Sequence, residues 1–170
     1  MEARAIGDLT EVRDFSSVVD GMDAVIHLAA RVHMMRETAT DPDIAFRQAN
    51  TDVTQRLAEA ASKAGVARFV FLSSVKVNGE QTSGVAFSER DAPAPEDAYG
   101  RSKRDAEDAL QKIAATTKMT ITTLRVPLVY GPLVRANFAA LLRICDTFLP
   151  LPLDGICLLY TSDAADDTPC

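Results

Sequence analysis

Short apolar runs alternate with helix-length amphipathic stretches along this chain, and few folds accept that alternation. Val25-Ile26-His27-Leu28-Ala29-Ala30 and Ala67 to Ser73 are short and apolar nearly throughout, the pattern of strands buried on both faces of a parallel sheet. Thr120 to Val126 is β-branched and predicts a third strand. Between the first two, Asp41-Pro42 offers an N-cap and a proline at the first helical position. Ala45, Ala49, Val53, Leu57, Ala60 and Ala61 then recur at helical spacing up to Gly65. Tyr99 to Thr117 predicts a second helix with Ala106, Leu110 and Ile113 inward, and Asn137 to Cys145 a further one. Strands joined by helical crossovers make an α/β fold with a parallel, doubly wound sheet and right-handed connections. Ligands of such sheets bind outside the carboxyl ends of the strands. Ala29-Ala30, Ser73-Ser74 and Pro127-Leu128 stand at those ends, with a polar loop from Asn78 to Ala98 nearby.

At 170 residues, 47% hydrophobic and 25% charged, the chain is expected to build one soluble core. Its apolar runs are too short for a bilayer span and its start lacks a basic-then-apolar leader, so no membrane partner is expected and the default location is cytoplasmic. A net charge of −6 offers no electrostatic basis for nucleic acid. The three cysteines, Cys145, Cys157 and Cys170, have no metal-ligand spacing and are odd in number, so no metal site or disulfide framework is expected.

Tyr99-Gly100-Arg101-Ser102-Lys103 puts a tyrosine and a lysine four apart on one helix face, where the ammonium can lower the pKa of the phenol. Such a tyrosinate can take a proton from an alcohol while a hydride leaves the same carbon for a nicotinamide ring. Ser74, at the end of the second strand, can hydrogen bond to that oxygen. Lys103 has two jobs open to it, lowering the tyrosine pKa and hydrogen bonding the nicotinamide ribose. The competing readings are a solvated helix charge for Lys103 and a pair of small turn residues for Ser73-Ser74.

The combination of Gly7-Asp8-Leu9, His27-Leu28-Ala29-Ala30, Asn50 before an Ala-rich helix, Phe69 to Ser74, Tyr99 with Lys103, and Leu124 to Pro132 resembles the extended short-chain dehydrogenase/reductase family, specifically its nucleotide-sugar epimerases, over about residues 5 to 155. The resemblance implies NAD, with NADP less favoured, and a nucleotide-sugar substrate. It places Asp8 and Leu9 at the adenine, Leu28, Ala29 and Ala30 at the dinucleotide backbone, and Pro127 and Leu128 at the nicotinamide end. Asn50, Tyr99 and Lys103 join them as cofactor-binding residues, and Ser74, Tyr99 and Lys103 are the catalytic set. Plainer readings stay open: a surface turn for Asp8-Leu9, close packing for Ala29-Ala30, and an internal residue bonded to backbone for Asn50. Dehydratases of the family carry Asp-Glu after the active-site hydroxyl, because eliminating water needs a further acid and base; this chain has Val75-Lys76. The implied reaction is therefore C4 epimerisation of UDP-glucose/galactose or an N-acetyl form, with a reductase or a binding module as alternatives. Asn78 stands where relatives carry Tyr before Gly, and Leu128 where a galactose epimerase has a sugar-contacting Asn. Relatives often dimerise through helices such as Asp41 to Lys63 and Tyr99 to Thr117.

A dinucleotide fold also needs a Gly-rich turn at a helix N-terminus. No three of the eight glycines have that spacing. The expectation is a partial Rossmann-like sheet that lacks its N-terminal strands and Gly-rich loop, with the first strand an unpaired edge, in an inactive fragment whose domain spans 1–155. Cys157 to Asp167 looks like the conceptual translation of a transposase sequencing adapter, against an ordinary acidic tail, so 156–170 is read as non-native. That stretch holds three aspartates and no lysine or arginine, so half of the −6 charge is assigned to it.

Overall fold

The computed structural model describes residues 5–32, 41–82, 84–129, 131 and 143. The chain divides into two units, Met1–Leu128 and Val129–Cys170. The second is described only at Val129, Gly131 and Arg143. The expected helix from Asn137 to Cys145 lies outside the described residues apart from Arg143, and Tyr130, Pro132, the three cysteines and the 156–170 tail lie wholly outside them.

Within the first unit the order is α1 (Ser16–Val19), β1 (Ala24–His27), α2 (Pro42–Phe46), a π-helical turn (Arg47–Asp52), α3 (Val53–Lys63), β2 (Arg68–Ser74), a 3-10 turn (Val75–Val77), α4 (Ala98–Thr116) and β3 (Thr120–Val126). The three strands are parallel and ordered β1-β2-β3. Val25 pairs with Phe69 and His27 with Phe71, while Ser74 pairs with Val126, so the strands finish at the same end. Caps set where the helices begin. Asp41 Oδ1 accepts from the Ile44 N–H at 3.2 Å with Pro42 behind it, and Asp97 Oδ1 accepts from the Gly100 N–H at 2.6 Å. At the other end of α3, Gly65 takes φ +79°, a left-handed conformation that lets Val66 N–H reach back to Ala61 O at 3.0 Å.

Phe69 and Phe71 project from one face of β2 into a core with Leu57, Ala58 and Ala61 of α3, Ala106 and Leu110 of α4, and Phe15 and Val19 around α1. Truncating a buried phenylalanine such as Phe71 to Ala removes about 3–5 kcal/mol. The opposite sheet face is open among the described residues: Ile26 is 66% exposed and Leu124 45%. This corrects the expectation of strands buried on both faces. Helices α3 and α4 cover one face only, so β1 alternates, with His27 buried and Ile26 outward. It is also shorter than expected, since Leu28, Ala29 and Ala30 have left the ladder. Among the described residues β1 pairs with β2 alone, which makes it an edge.

Candidate active site

The first turn of α4 meets the carboxyl end of β2. Ser74 ends the strand and caps the 3-10 turn, its Oγ accepting from the Lys76 N–H at 3.3 Å. The Ser74 hydroxyl acts on the Tyr99 phenol as a polar neighbour that pulls its pKa down. This approach requires glycine at position 100, where a Cβ would stand 2.8 Å from Lys76 O, closer than real Cβ atoms come to backbone. Phe46 packs edge-on to the Tyr99 ring, with centroids 6.1 Å apart.

Lys103 is 2% exposed and its Nζ donates to Leu72 O at 2.8 Å, 4.6 Å above the Phe71 ring and 5.9 Å from the Tyr99 ring centroid. Burial lowers its pKa to about 8 against an upward pull from Glu107. Tyr99 moves the other way. Burial raises its pKa, and the Ser74 hydroxyl and the Lys76 charge only partly offset this, while Asp97 adds to it. The expected lowering of the Tyr99 pKa by Lys103 is therefore not what the geometry gives. The lysine stem runs along the ring and aims its ammonium at a strand carbonyl instead of at the phenol oxygen. Lys76, held between Asp97 Oδ2 at 2.7 Å and Glu80 Oε1 at 2.8 Å, is the cation whose field lowers the Tyr99 pKa.

Asn50 sits in the π-helical turn, 1% exposed, with its amide engaged. Its Oδ1 accepts from Arg31 N–H at 2.8 Å, and its Nδ2 donates to Arg31 O at 3.0 Å and to Ser102 Oγ at 2.9 Å. This is the plainer of its two readings, an internal residue bonded to backbone, and it ties the segment leaving β1 to the motif helix. Behind it, Thr54 Oγ1 donates to Asn50 O at 2.6 Å and lies 3.0 Å from His27 Nε2. Burial, helped by the Lys103 charge, pushes His27 down to about 4, so its ring is neutral at pH 7.

Leu28 and Ala29 are exposed just past β1 and Ala30 is half-buried, while Pro127 and Leu128 are exposed just past β3; all five lie at the carboxyl ends that hold Ser74. Asp8 and Leu9 do not join the hydrogen-bonded cluster. Asp8 Oδ1 accepts from the Thr10 N–H at 2.8 Å and its hydroxyl at 2.7 Å, bonds that lower its pKa, and Leu9 O meets Arg56 of α3 at 3.4 Å. That is the surface-turn reading. Sequence reasoning missed a second buried group, Glu107 with Ser73, Arg125 and Asn78. Its signal was there: Glu107 follows Lys103 by the same four residues that separate Lys103 from Tyr99.

The profile of the NAD dependent epimerase/dehydratase family matches residues 3–145. The chain belongs to this family. Among its members, UDP-glucose 4-epimerase of Vibrio cholerae is 42% identical over 152 residues, covering 89% of this chain and 46% of the relative. UDP-glucuronic acid 4-epimerase of Bacillus cereus, solved with NAD, superposes with a TM-score of 0.65 at 30% identity, over 76% of this chain and 40% of that one. A dTDP-glucose 4,6-dehydratase of Streptomyces venezuelae, solved with NAD, gives 0.66 at 29% identity, over 74% and 38%. The chain thus spans under half the length of the relatives it matches. Among the described residues no helix is long and apolar enough to cross a membrane, and no His, Cys, Asp and Glu group could hold a metal ion.

Proposed function

We propose that this chain carries the acid–base site of an NAD-dependent nucleotide-sugar 4-epimerase, acting at C4 of UDP-glucose/galactose or the N-acetyl form. The observation that carries this reading is the gathering of Ser74, Tyr99 and Lys103 at the carboxyl ends of parallel strands, with Lys103 Nζ on Leu72 O at 2.8 Å and 5.9 Å from the Tyr99 ring centroid. Tyr99, as a phenolate whose own proton has passed to solvent, would take the C4 hydroxyl proton on its oxygen and give it back. Ser74 donates a hydrogen bond to the same oxygen, and the field of Lys76 favours that phenolate. Leu28, Ala29, Ala30, Pro127 and Leu128 would border the cofactor. Asn50 would hold the β1 exit in place from behind, and Asp8 and Leu9 would meet the adenine from the surface turn.

The residues present fit the nicotinamide-ribose end of NAD. Lys103 is buried with one hydrogen-bond acceptor for three N–H groups, and no ion pair of Lys103 is present among the described residues. They do not supply a pyrophosphate cradle, because the sequence has no Gly-rich turn of the needed spacing. NAD held there would supply reversible hydride acceptance at C4 and would not be consumed.

Two features favour epimerisation over dehydration. The relative with 42% identity is named for epimerisation, and Val75 and a Lys76 already paired with Asp97 and Glu80 occupy the places of the dehydratase Asp-Glu pair. The test is UDP-glucose deuterated at C4, given to the gene product that carries these residues with catalytic NAD. UDP-galactose that keeps the label at C4 is expected. UDP-glucose left uninverted at C4, with stoichiometric oxidation of NADPH when a ketone substrate is supplied instead, would contradict the reading and favour a reductase.

A further inference from the structure

Three side chains of α4, spaced four apart, face three consecutive residues of β2. Lys103 Nζ donates to Leu72 O at 2.8 Å, Glu107 Oε1 accepts from Ser73 Oγ at 2.5 Å, and Tyr99 lies where the Ser74 hydroxyl lowers its pKa. Glu107 is 3% exposed and is itself held fast. Arg125 of β3 donates through Nε at 3.0 Å to Oε1 and 3.2 Å to Oε2, and through Nη2 at 2.6 Å to Oε2. Arg125 Nη1 continues to Asn78 Oδ1 at 3.2 Å, and Asn78 Nδ2 to Ser88 O at 3.3 Å. A buried ion pair adds little stability over an apolar pair of similar volume, so what it gains is placement. Successive strand residues project to opposite faces, and a group that fixes Ser73 on one face sets the rotation of the peptide that presents Ser74 on the other.

We propose that Glu107 is a positioning residue: held by Arg125, it grips Ser73 and thereby sets the peptide rotation that brings Ser74 to the Tyr99 hydroxyl. Its importance for catalysis rests on the epimerase reading, but the placement itself does not. Lys103, its nearest charged neighbour on α4, faces His27 from β1 and Tyr99 from its own helix, and both are neutral at pH 7. Glu107 is thus the carboxylate among the groups that act on Lys103, and it raises the ammonium pKa.

The placement can be read without cofactor or substrate. In the 170-residue chain with Tyr130→Phe and Tyr160→Phe, Tyr99 is the one tyrosine left, and its ionisation is followed by tyrosinate absorbance. The Ser74 hydroxyl lowers its pKa, so Ser74→Ala should shift the titration upward. Ser73→Ala, which leaves the Glu107–Arg125 pair intact, should raise it in the same direction, and Glu107→Gln should match it. A Ser73→Ala chain that titrates like its background while Ser74→Ala shifts would overturn the proposal, and so would no shift in either. Should Glu107→Gln fail to fold, Ser73→Ala decides alone. A gene product that shows these shifts yet leaves C4 uninverted would sink the epimerase reading and keep the positioning.

Discussion

Lys103 shows what the site costs the fold. Its folded pKa of about 8 lies below the ordinary 10.5, so between those values the unfolded chain still holds a proton that the folded chain has released. Stability therefore rises as pH climbs from 8 to 10.5, and below 8 the fold carries a buried charge at a cost on the order of 3 kcal/mol. We predict that Lys103→Met raises the unfolding midpoint in urea at pH 7 and flattens the rise above pH 8. An unchanged or lower midpoint would show that the bond to Leu72 O and the Phe71 contact outweigh the desolvation. A sequence shows the spacing of Tyr99 and Lys103 but not where the ammonium points, which depends on Phe71 and Leu72 O across the strand. For the same reason it could not show that Lys76 and not Lys103 acts on the phenol.

Element boundaries were legible where local chemistry sets them. Asp41-Pro42 starts α2, Gly65 follows the end of α3, and the β-branched Thr120 to Val126 is β3 at the expected residues, while the Asp97 cap of α4 was found only in the structure. The π-helical turn was not, because Arg47–Asp52 reads as ordinary helix and its extra residue is matched to a tertiary demand, the hold of Asn50 on Arg31 and Ser102. Gly100 belongs to this scale, since it lets the turn after β2 lie on α4. Gly100→Ala places a Cβ 2.8 Å from Lys76 O, and the turn must move. We expect a loss of about 1–3 kcal/mol in thermal unfolding, with the Tyr99 titration rising as Ser74 moves away from the phenol. Unchanged stability and titration would mean that the turn is not seated against the helix.

Across the whole molecule, the parallel sheet and its ligand-facing end followed from the alternation of apolar runs, whereas single-faced burial did not. Composition shows that Ile26 and Val25 are apolar, not which of the two a helix will cover. The candidate site is likewise uneven. Ser74, Tyr99 and Lys103 come together, Asn50 stands behind them, and Asp8 lies in its own turn. Without a Gly-rich turn in its sequence, the 170-residue chain is expected to bind NAD more weakly than about 1 μM, since such a turn is what lets backbone amides approach the pyrophosphate. Saturable micromolar binding by calorimetry would contradict that. The account turns on Tyr99 as the proton carrier at C4. Its most direct test is the interconversion of UDP-glucose and UDP-galactose by the gene product that carries these residues, followed by proton NMR with and without Tyr99→Phe. The prediction is C4 inversion without net cofactor reduction, slowed about 10²- to 10⁴-fold by the substitution; a Tyr99→Phe enzyme that inverts C4 at the unsubstituted rate would contradict it.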